Sequence, residues 1–149
     1  MQLEMRHLTI EDLEPALRLA WEVFLKFEAP DYSEEGIQEF KKYIAPATAR
    51  ERFESRVLML GAFVSGNLAG VLEAGTSTHI SMLFVAEKYH KQGIAKALFN
   101  EALAKLENAN ITVNSSPYAI EVYKKLGFVA TGEEQTINGI RFLPMIRKP

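Results

Sequence analysis

The sequence predicts a mixed α/β domain, one unit over residues 1–149, with a largely antiparallel sheet and several helices. Three observations lead there. The chain is one domain long, at 149 residues and 16.8 kDa, enough to bury a substantial core. Its apolar share of 48% and charged share of 24% match folded globular proteins rather than disordered or fibrous ones. Segments with apolar residues at helical spacing alternate with short runs rich in β-formers, and no repeat, low-complexity stretch or linker interrupts them.

Residues 2–8 alternate loosely and read as a first strand ending at Thr9, an N-cap whose partner three residues on is Asp12, a variant of the capping box. From Leu13 the positions Ala16, Leu17, Ala20, Phe24 and Phe27 recur at helical spacing, so a helix runs to about Lys26, with Pro15 bending or restarting its first turn. Residues 28–32 form a turn. Ser33 caps a second helix carrying Ile37, Phe40 and Ile44 on one side and stopping before Pro46, and ATARERFESR (47–56) adds a short helical piece. RVLMLGAFV (56–64) and NLAGVLEAG (67–75) are strands joined by the hairpin signal Ser65-Gly66, and THISMLFV (78–85) follows a turn around Gly75, giving an antiparallel meander. A helix begins near Gly93, with Ile94, Leu98, Ala102 and Leu106 as its stripe. ITVN (111–114) is a strand. Ser116 caps a helix with Pro117 at its first position, closed by Lys124, Lys125 and Gly127. Residues 128–137 and 140–146 then pair across Asn138-Gly139, a type I′ dipeptide, and Pro144 demands an edge position or a bulge.

Composition excludes several function classes. The longest apolar run, VLMLGAFV (57–64), is far short of the roughly 20 residues of a membrane-spanning helix. MQLEMRHLTI lacks the basic patch, apolar core and cleavage site of a secretory leader, so a cytoplasmic location is expected. With no cysteine there is no disulfide, thiolate nucleophile or Cys-ligated zinc, and His7, His79 and His90 have no metal-ligand spacing, so no metal is expected. A formal charge of −2 gives no field for nucleic acid. A homodimer through the C-terminal hairpin is an open expectation.

The junction of chemical interest is the polar loop between the 78–85 strand and the helix at Gly93. A helix start offers unpaired N–H groups and the positive end of the peptide dipoles, which suits pyrophosphate. Gly93 stands where a side chain would block such a ligand, and Lys88, His90, Lys91 and Lys96 add positive or potentially positive charge. The plain alternative is a glycine turn among solvated lysines.

LFVAEKYHKQGIAKAL (83–98) resembles the signature of the GNAT superfamily of acyl-CoA-dependent N-acyltransferases, a strand running into Gln/Arg-x-x-Gly-x-Gly/Ala and a helix; here it reads His90-Lys91-Gln92-Gly93-Ile94-Ala95, with His90 departing from Gln or Arg. SSPYAIEVYKKLGF (115–128) is similar to the second signature, through Ala119, Tyr123, Leu126, Gly127 and Phe128, with Ser116 where many members have Asn. The order of elements matches the family over nearly the whole chain. The resemblance implies a sheet whose central parallel strands splay apart, about four helices, and acetyl-CoA as cosubstrate in the splay.

It further implies an N-acetyltransferase acting by direct attack of an amine on the thioester in a ternary complex. Backbone groups of Leu83, Phe84 and Val85 would meet the pantetheine arm and the thioester carbonyl, donors there stabilising an oxyanion. Residues His90 to Ala95 with Lys96 would surround the pyrophosphate, and Ser116 would lie beside the cofactor. Tyr123 holds the family's position for the acid that protonates the departing sulfur. An amine with a free pKa of about 10.4 must lose a proton before attack. His79, eleven residues before His90 where some members carry a catalytic glutamate, is the candidate base; Glu73, Glu22, Glu28 or water are others. The acceptor would enter over Trp21, Phe24, Glu28, Asp31 and Tyr32, whose apolar and acidic character suits a cationic amine, of a small molecule or of a protein. The main rival is a non-catalytic acyl-CoA-binding module. A Rossmann-type nucleotide site fits poorly, since G-x-G-x-x-G is absent.

Overall fold

The computed structural model describes residues 2–55, 57–75, 78–107 and 109–149. Parts of the expected elements at Arg56, at Thr76 and Ser77 and at Asn108, together with Met1, lie outside the described residues. In chain order the elements are β1 (Leu3–His7), α1 (Ile10–Val23), a π-helical turn (Phe24–Glu28), a 3-10 turn (Ala29–Asp31), α2 (Glu34–Tyr43), α3 (Pro46–Glu54), β2 (Leu58–Val64), β3 (Asn67–Ala74) and β4 (His79–Val85). After a 3-10 turn (Glu87–Tyr89) come α4 (Ile94–Lys105), β5 (Ile111–Ser115), a 3-10 turn (Pro117–Ala119), α5 (Ile120–Lys125), β6 (Val129–Ala130), β7 (Gln135–Ile137) and β8 (Ile140–Arg147).

The strands form one sheet in the order β1-β2-β3-β4-β5-β8-β6, with β7 also on β8. Every pairing is antiparallel except β4 with β5. That parallel pair is short: His79 faces Thr112 and Ile80 faces Val113, and beyond them the two strands part. The splay implied by the family resemblance is therefore present, and it opens on the sheet's midline.

Strands β2 and β3 are buried on both faces. Met59, Phe63 and Val71 pack with Leu13, Ala16, Leu17, Ala20 and Phe24 of the α1 side. On the other face Leu60, Ala62, Ala69 and Leu72 meet Ile94, Leu98 and Ala102 of α4. This two-sided burial is why the strands read as continuous apolar runs instead of alternating ones. A third cluster of Ile80, Phe99, Val113, Tyr123, Phe128 and Met145 ties α4 and α5 to the splayed strands.

Helix α1 starts at Ile10, directly after the expected N-cap Thr9, and runs through Pro15 unbroken where a bend or restart was expected, with the proline on its exposed side. Its start is built by Asp12. The carboxylate accepts from the Thr9 N–H at 2.7 Å, from the Thr9 hydroxyl at 2.9 Å and from Arg6 at 2.7 Å. That set of donors, Arg6 foremost, holds the Asp12 carboxyl down at about 2.

The C-terminal third departs most from expectation. In place of one strand over 128–137 there are two short ones, because Pro144 has no N–H to give to the ladder. Its carbonyl still accepts from Thr131 at 2.9 Å, and residues 131–134 leave the sheet beside it. Asn138 (φ 52°) and Gly139 (φ 79°) form the left-handed turn their types predict. That turn docks on the start of α2: a Cβ on Gly36 would run into the Gly139 carbonyl. The last helix also begins later than expected. Ser116 accepts from Ala119 N–H at 3.2 Å, Pro117 opens a 3-10 turn, and α5 proper starts at Ile120.

Candidate active site

Where β4 and β5 separate, a cleft of about 500 Å³ opens. Its floor is β4, with His79, Ser81, Leu83 and Phe84; β5 and the turn after it contribute Val113, Asn114, Ser116 and Ala119; α5 contributes Tyr123. The π-helical turn, Tyr32 after the 3-10 turn, and α2 lie over it with Phe24, Glu28, Tyr32, Phe40 and Tyr43. Phe24 and Phe40 stack at 4.1 Å between ring centres, and Phe40 meets Phe84 edge-on at 5.7 Å, so the roof is a rigid aromatic surface.

Beyond the end of β4 the loop to α4 bends at two left-handed residues, Lys91 (φ 60°) and Gly93 (φ 82°). Among the described residues no side chain caps α4. Its first helical bond is Ala97 N–H to the Gly93 carbonyl, so the N–H groups of Ile94, Ala95 and Lys96 have no helical acceptor. A Cβ on Gly93 would meet no protein atom within 4 Å; backbone hand rather than protein crowding requires the glycine. Lys91, Gln92 and Lys96 are exposed and Ile94 is buried in the core against β3, which anchors the helix start. Gln92 donates to the Lys88 carbonyl at 3.2 Å. His90 turns back: its Nε2 is 2.6 Å from the Val85 carbonyl and its ring lies 5.2 Å from that of Phe27. The imidazole thus braces the loop, and the Val85 carbonyl is already engaged.

Tyr123 is buried, packs edge-on against Phe128 at 5.3 Å and lines the cleft. Burial pushes its hydroxyl well above the ordinary tyrosine value, and the Glu28 charge adds to the effect, so it stays protonated. His79 lines the inner end of the cleft with Nδ1 at 2.8 Å from the Thr112 hydroxyl; burial lowers its pKa and keeps the imidazole neutral. Glu28 lies in the cleft, where burial raises its carboxyl to about 7.

The other expected acidic residues are placed differently. Glu73 does not line the cleft: it is 2% exposed and held by the Tyr43 hydroxyl, by Arg52 Nε at 3.0 Å and by the Ser81 hydroxyl at 2.6 Å. Glu22 is on the exposed side of α1, Asp31 pairs with Arg141 at 3.7 Å, and Trp21 stacks on Phe24 at 5.9 Å within the core. Sequence reasoning missed Tyr43 and Glu39 of α2 as cleft residues; Tyr43 lies three residues after Phe40, on the same helical side, which was the available signal. Nothing in the sequence marked Arg52 as the partner of Glu73, since three separate elements meet there. Among the described residues no three His, Asp or Glu side chains converge as a metal site.

A family model described as an acetyltransferase (GNAT) domain matches residues 28–149, which takes in the cleft-lining residues other than Phe24. The chain belongs to the GNAT acetyltransferase family. It is accordingly an acyltransferase. A spermidine N(1)-acetyltransferase from Thermoplasma acidophilum is 32% identical to this GNAT chain over 111 residues, covering 68% of the chain and 69% of the relative. Among solved structures, the PaiA N-acetyltransferase of Thermoplasma acidophilum in complex with coenzyme A aligns over 100% of both chains at 26% identity and a TM-score of 0.81. A GCN5-related N-acetyltransferase from Rhodopseudomonas palustris aligns over 100% of this chain and 97% of its own at 26% identity and a TM-score of 0.85.

Proposed function

We propose that this GNAT protein transfers an acetyl group from acetyl-CoA to a primary amine of a small cationic molecule by direct attack in a ternary complex. The observation that carries the reading is one continuous cleft: it lies between parting parallel strands, an uncapped helix start stands beyond the end of β4, and a half-buried carboxyl and a protonated tyrosine line its walls. The amides of Ile94, Ala95 and Lys96 and the open space over Gly93 suit a diphosphate, with Lys91 and Lys96 adding charge. His90 serves this site as a brace of the loop, and Leu83 and Phe84 present the free part of the β4 edge to the pantetheine arm. The relative named for spermidine and the related structure holding coenzyme A support the same pairing of substrates.

Acetyl-CoA supplies a thioester carbonyl already activated for attack. The acceptor gives up one proton, its nitrogen forms the C–N bond as the C–S bond breaks, and the electron pair leaves on sulfur. Tyr123 gives the sulfur its proton and regains one from the new amide nitrogen. Glu28, Glu39 and His79 are the groups lining the cleft able to take the first proton, and Glu39 is already paired with Lys42 at 3.6 Å. The aromatic roof and the carboxylates of Glu28 and Glu39 favour a cation with an apolar body.

Thermal shift with acetyl-CoA, then thiol release across polyamines, amino acids, aminoglycosides and lysine peptides, tests the reading. Stabilisation by acetyl-CoA and release with a small amine are expected. Stabilisation without release from any amine would identify an acyl-CoA-binding module instead.

A further inference from the structure

Helix α1 does not end as an α-helix. Its core-facing line runs through Leu13, Ala16, Leu17, Ala20 and Phe24, and an α-helical continuation would put Glu28 next on that line. Instead Phe24–Glu28 makes a π-helical turn closed by the Ala29 N–H on the Phe24 carbonyl, five residues apart. The wider turn hands the core position to Ala29, 8% exposed, and sets Glu28 aside into the cleft. Single π turns of this kind are concentrated at functional sites.

The groups facing Glu28 come from three places. On its own segment are Asp31, already paired with Arg141, and Tyr32. The turn after β5 brings the Ser116 hydroxyl and Tyr118, and α5 brings Tyr123. Two cations of this neighbourhood are engaged elsewhere: Arg141, which pairs with Asp31, also holds Glu134 at 3.2 Å, and Lys26 holds Glu87 at 2.7 Å. Among the described residues Glu28 has no cationic partner, although it is a carboxylate largely withdrawn from solvent.

We propose that Glu28 is the base that deprotonates the acceptor amine, aimed by the π-helical turn at the end of α1. The inference rests on the acetyltransferase reading. The bound ammonium gives one proton to the Glu28 carboxylate, which becomes a neutral carboxyl; the nitrogen keeps the lone pair that attacks, and the proton passes to solvent after product leaves. Burial is the main reason its carboxyl sits at about 7; the Asp31 charge pushes the same way and the Ser116 hydroxyl opposes. A base poised there takes up a proton far more readily than an ordinary carboxylate yet remains substantially ionised at neutral pH. His79 is the weaker rival, because its Nδ1 is tied to Thr112 and burial lowers its basicity.

The test is kcat and KM from pH 5 to 9 with acetyl-CoA and spermidine for the wild type, Glu28→Gln and His79→Asn, alongside acetyl-CoA affinity by calorimetry. We expect a wild-type limb rising with a midpoint near 7. In Glu28→Gln that limb is lost, kcat falls by about 10²-fold or more, and acetyl-CoA affinity is unchanged. A Glu28→Gln enzyme with wild-type kcat, or with only a raised KM, overturns the role, as does a limb that disappears in His79→Asn and persists in Glu28→Gln. A wild type that releases no thiol with any amine overturns the acetyltransferase reading and the base with it, a result distinct from an active wild type indifferent to Glu28→Gln.

Discussion

Burial acts on Tyr123 and Glu28 in the same direction, favouring the neutral form of each, but it leaves them in different states. Tyr123 is far from its titration and is locked as a donor; Glu28 is brought to the middle of its own and can exchange a proton. Replacing the donor tests the first half of that pairing: Tyr123→Phe should lower kcat by about 10²-fold or more while acetyl-CoA affinity stays within twofold. Unchanged turnover would remove Tyr123 from the chemistry. Gly93→Ala separates conformation from ligand contact. Since the new methyl meets no atom of the described residues within 4 Å, the stability cost is that of a left-handed alanine, about 1 kcal/mol, while it adds bulk at the residue that opens α4. Calorimetry should show acetyl-CoA affinity reduced by about tenfold or more, with a melting temperature lowered by only a few degrees; equal affinity would place the diphosphate elsewhere.

Elements position these residues through contacts that are local in sequence only in part. The Asn138-Gly139 turn and the first turn of α2 touch backbone to backbone, which brings Ile140 and the α2 aromatics to the same rim of the cleft. Gly36→Ala should therefore cost about 2 kcal/mol or more in urea unfolding, because the added methyl runs into a carbonyl that cannot move without lifting the hairpin. A variant as stable as the wild type would show that this docking is dispensable. Much of the architecture was legible at this scale. Ser65-Gly66 and Asn138-Gly139, both pairs left-handed, and the Ile94, Leu98, Ala102 stripe of α4 appear as the sequence predicts, since turn chemistry and helical period are properties of neighbours. The π-helical turn and the break between β6 and β7 were not legible, because the first answers to how Phe24 and Ala29 pack and the second to which strand Pro144 faces.

For the whole molecule the two displaced carboxyls give opposite pH dependences. Asp12 is held below its ordinary value of 3.8, so its contribution is present above that pH and is lost as the pH falls toward 2. Glu28 is raised from 4.5 to about 7: across that window the folded chain holds a proton that the unfolded chain has released, and stability declines as the pH rises through it. The loss is at most about 3 kcal/mol, complete above pH 7, and absent in Glu28→Gln. Urea unfolding at pH 5 and pH 8 should show the wild type losing more stability than Glu28→Gln over that interval. Parallel curves would mean that Glu28 titrates as an ordinary carboxylate.

By itself the sequence determined the element types, the hairpin turns, the glycine-marked start of α4 and the two signatures of the acetyltransferase family, because each is set by spacing and backbone preference within a few residues. Tertiary structure alone decided which of the three expected glutamates faces the cleft. Glu73, Glu22 and Glu28 are the same side chain in the sequence; packing buries one against Arg52 and Tyr43, leaves one on the exposed side of α1 and places one without a cationic partner in the cleft. Their chemistry follows from dielectric surroundings and charged neighbours that come together only when distant segments fold onto one another.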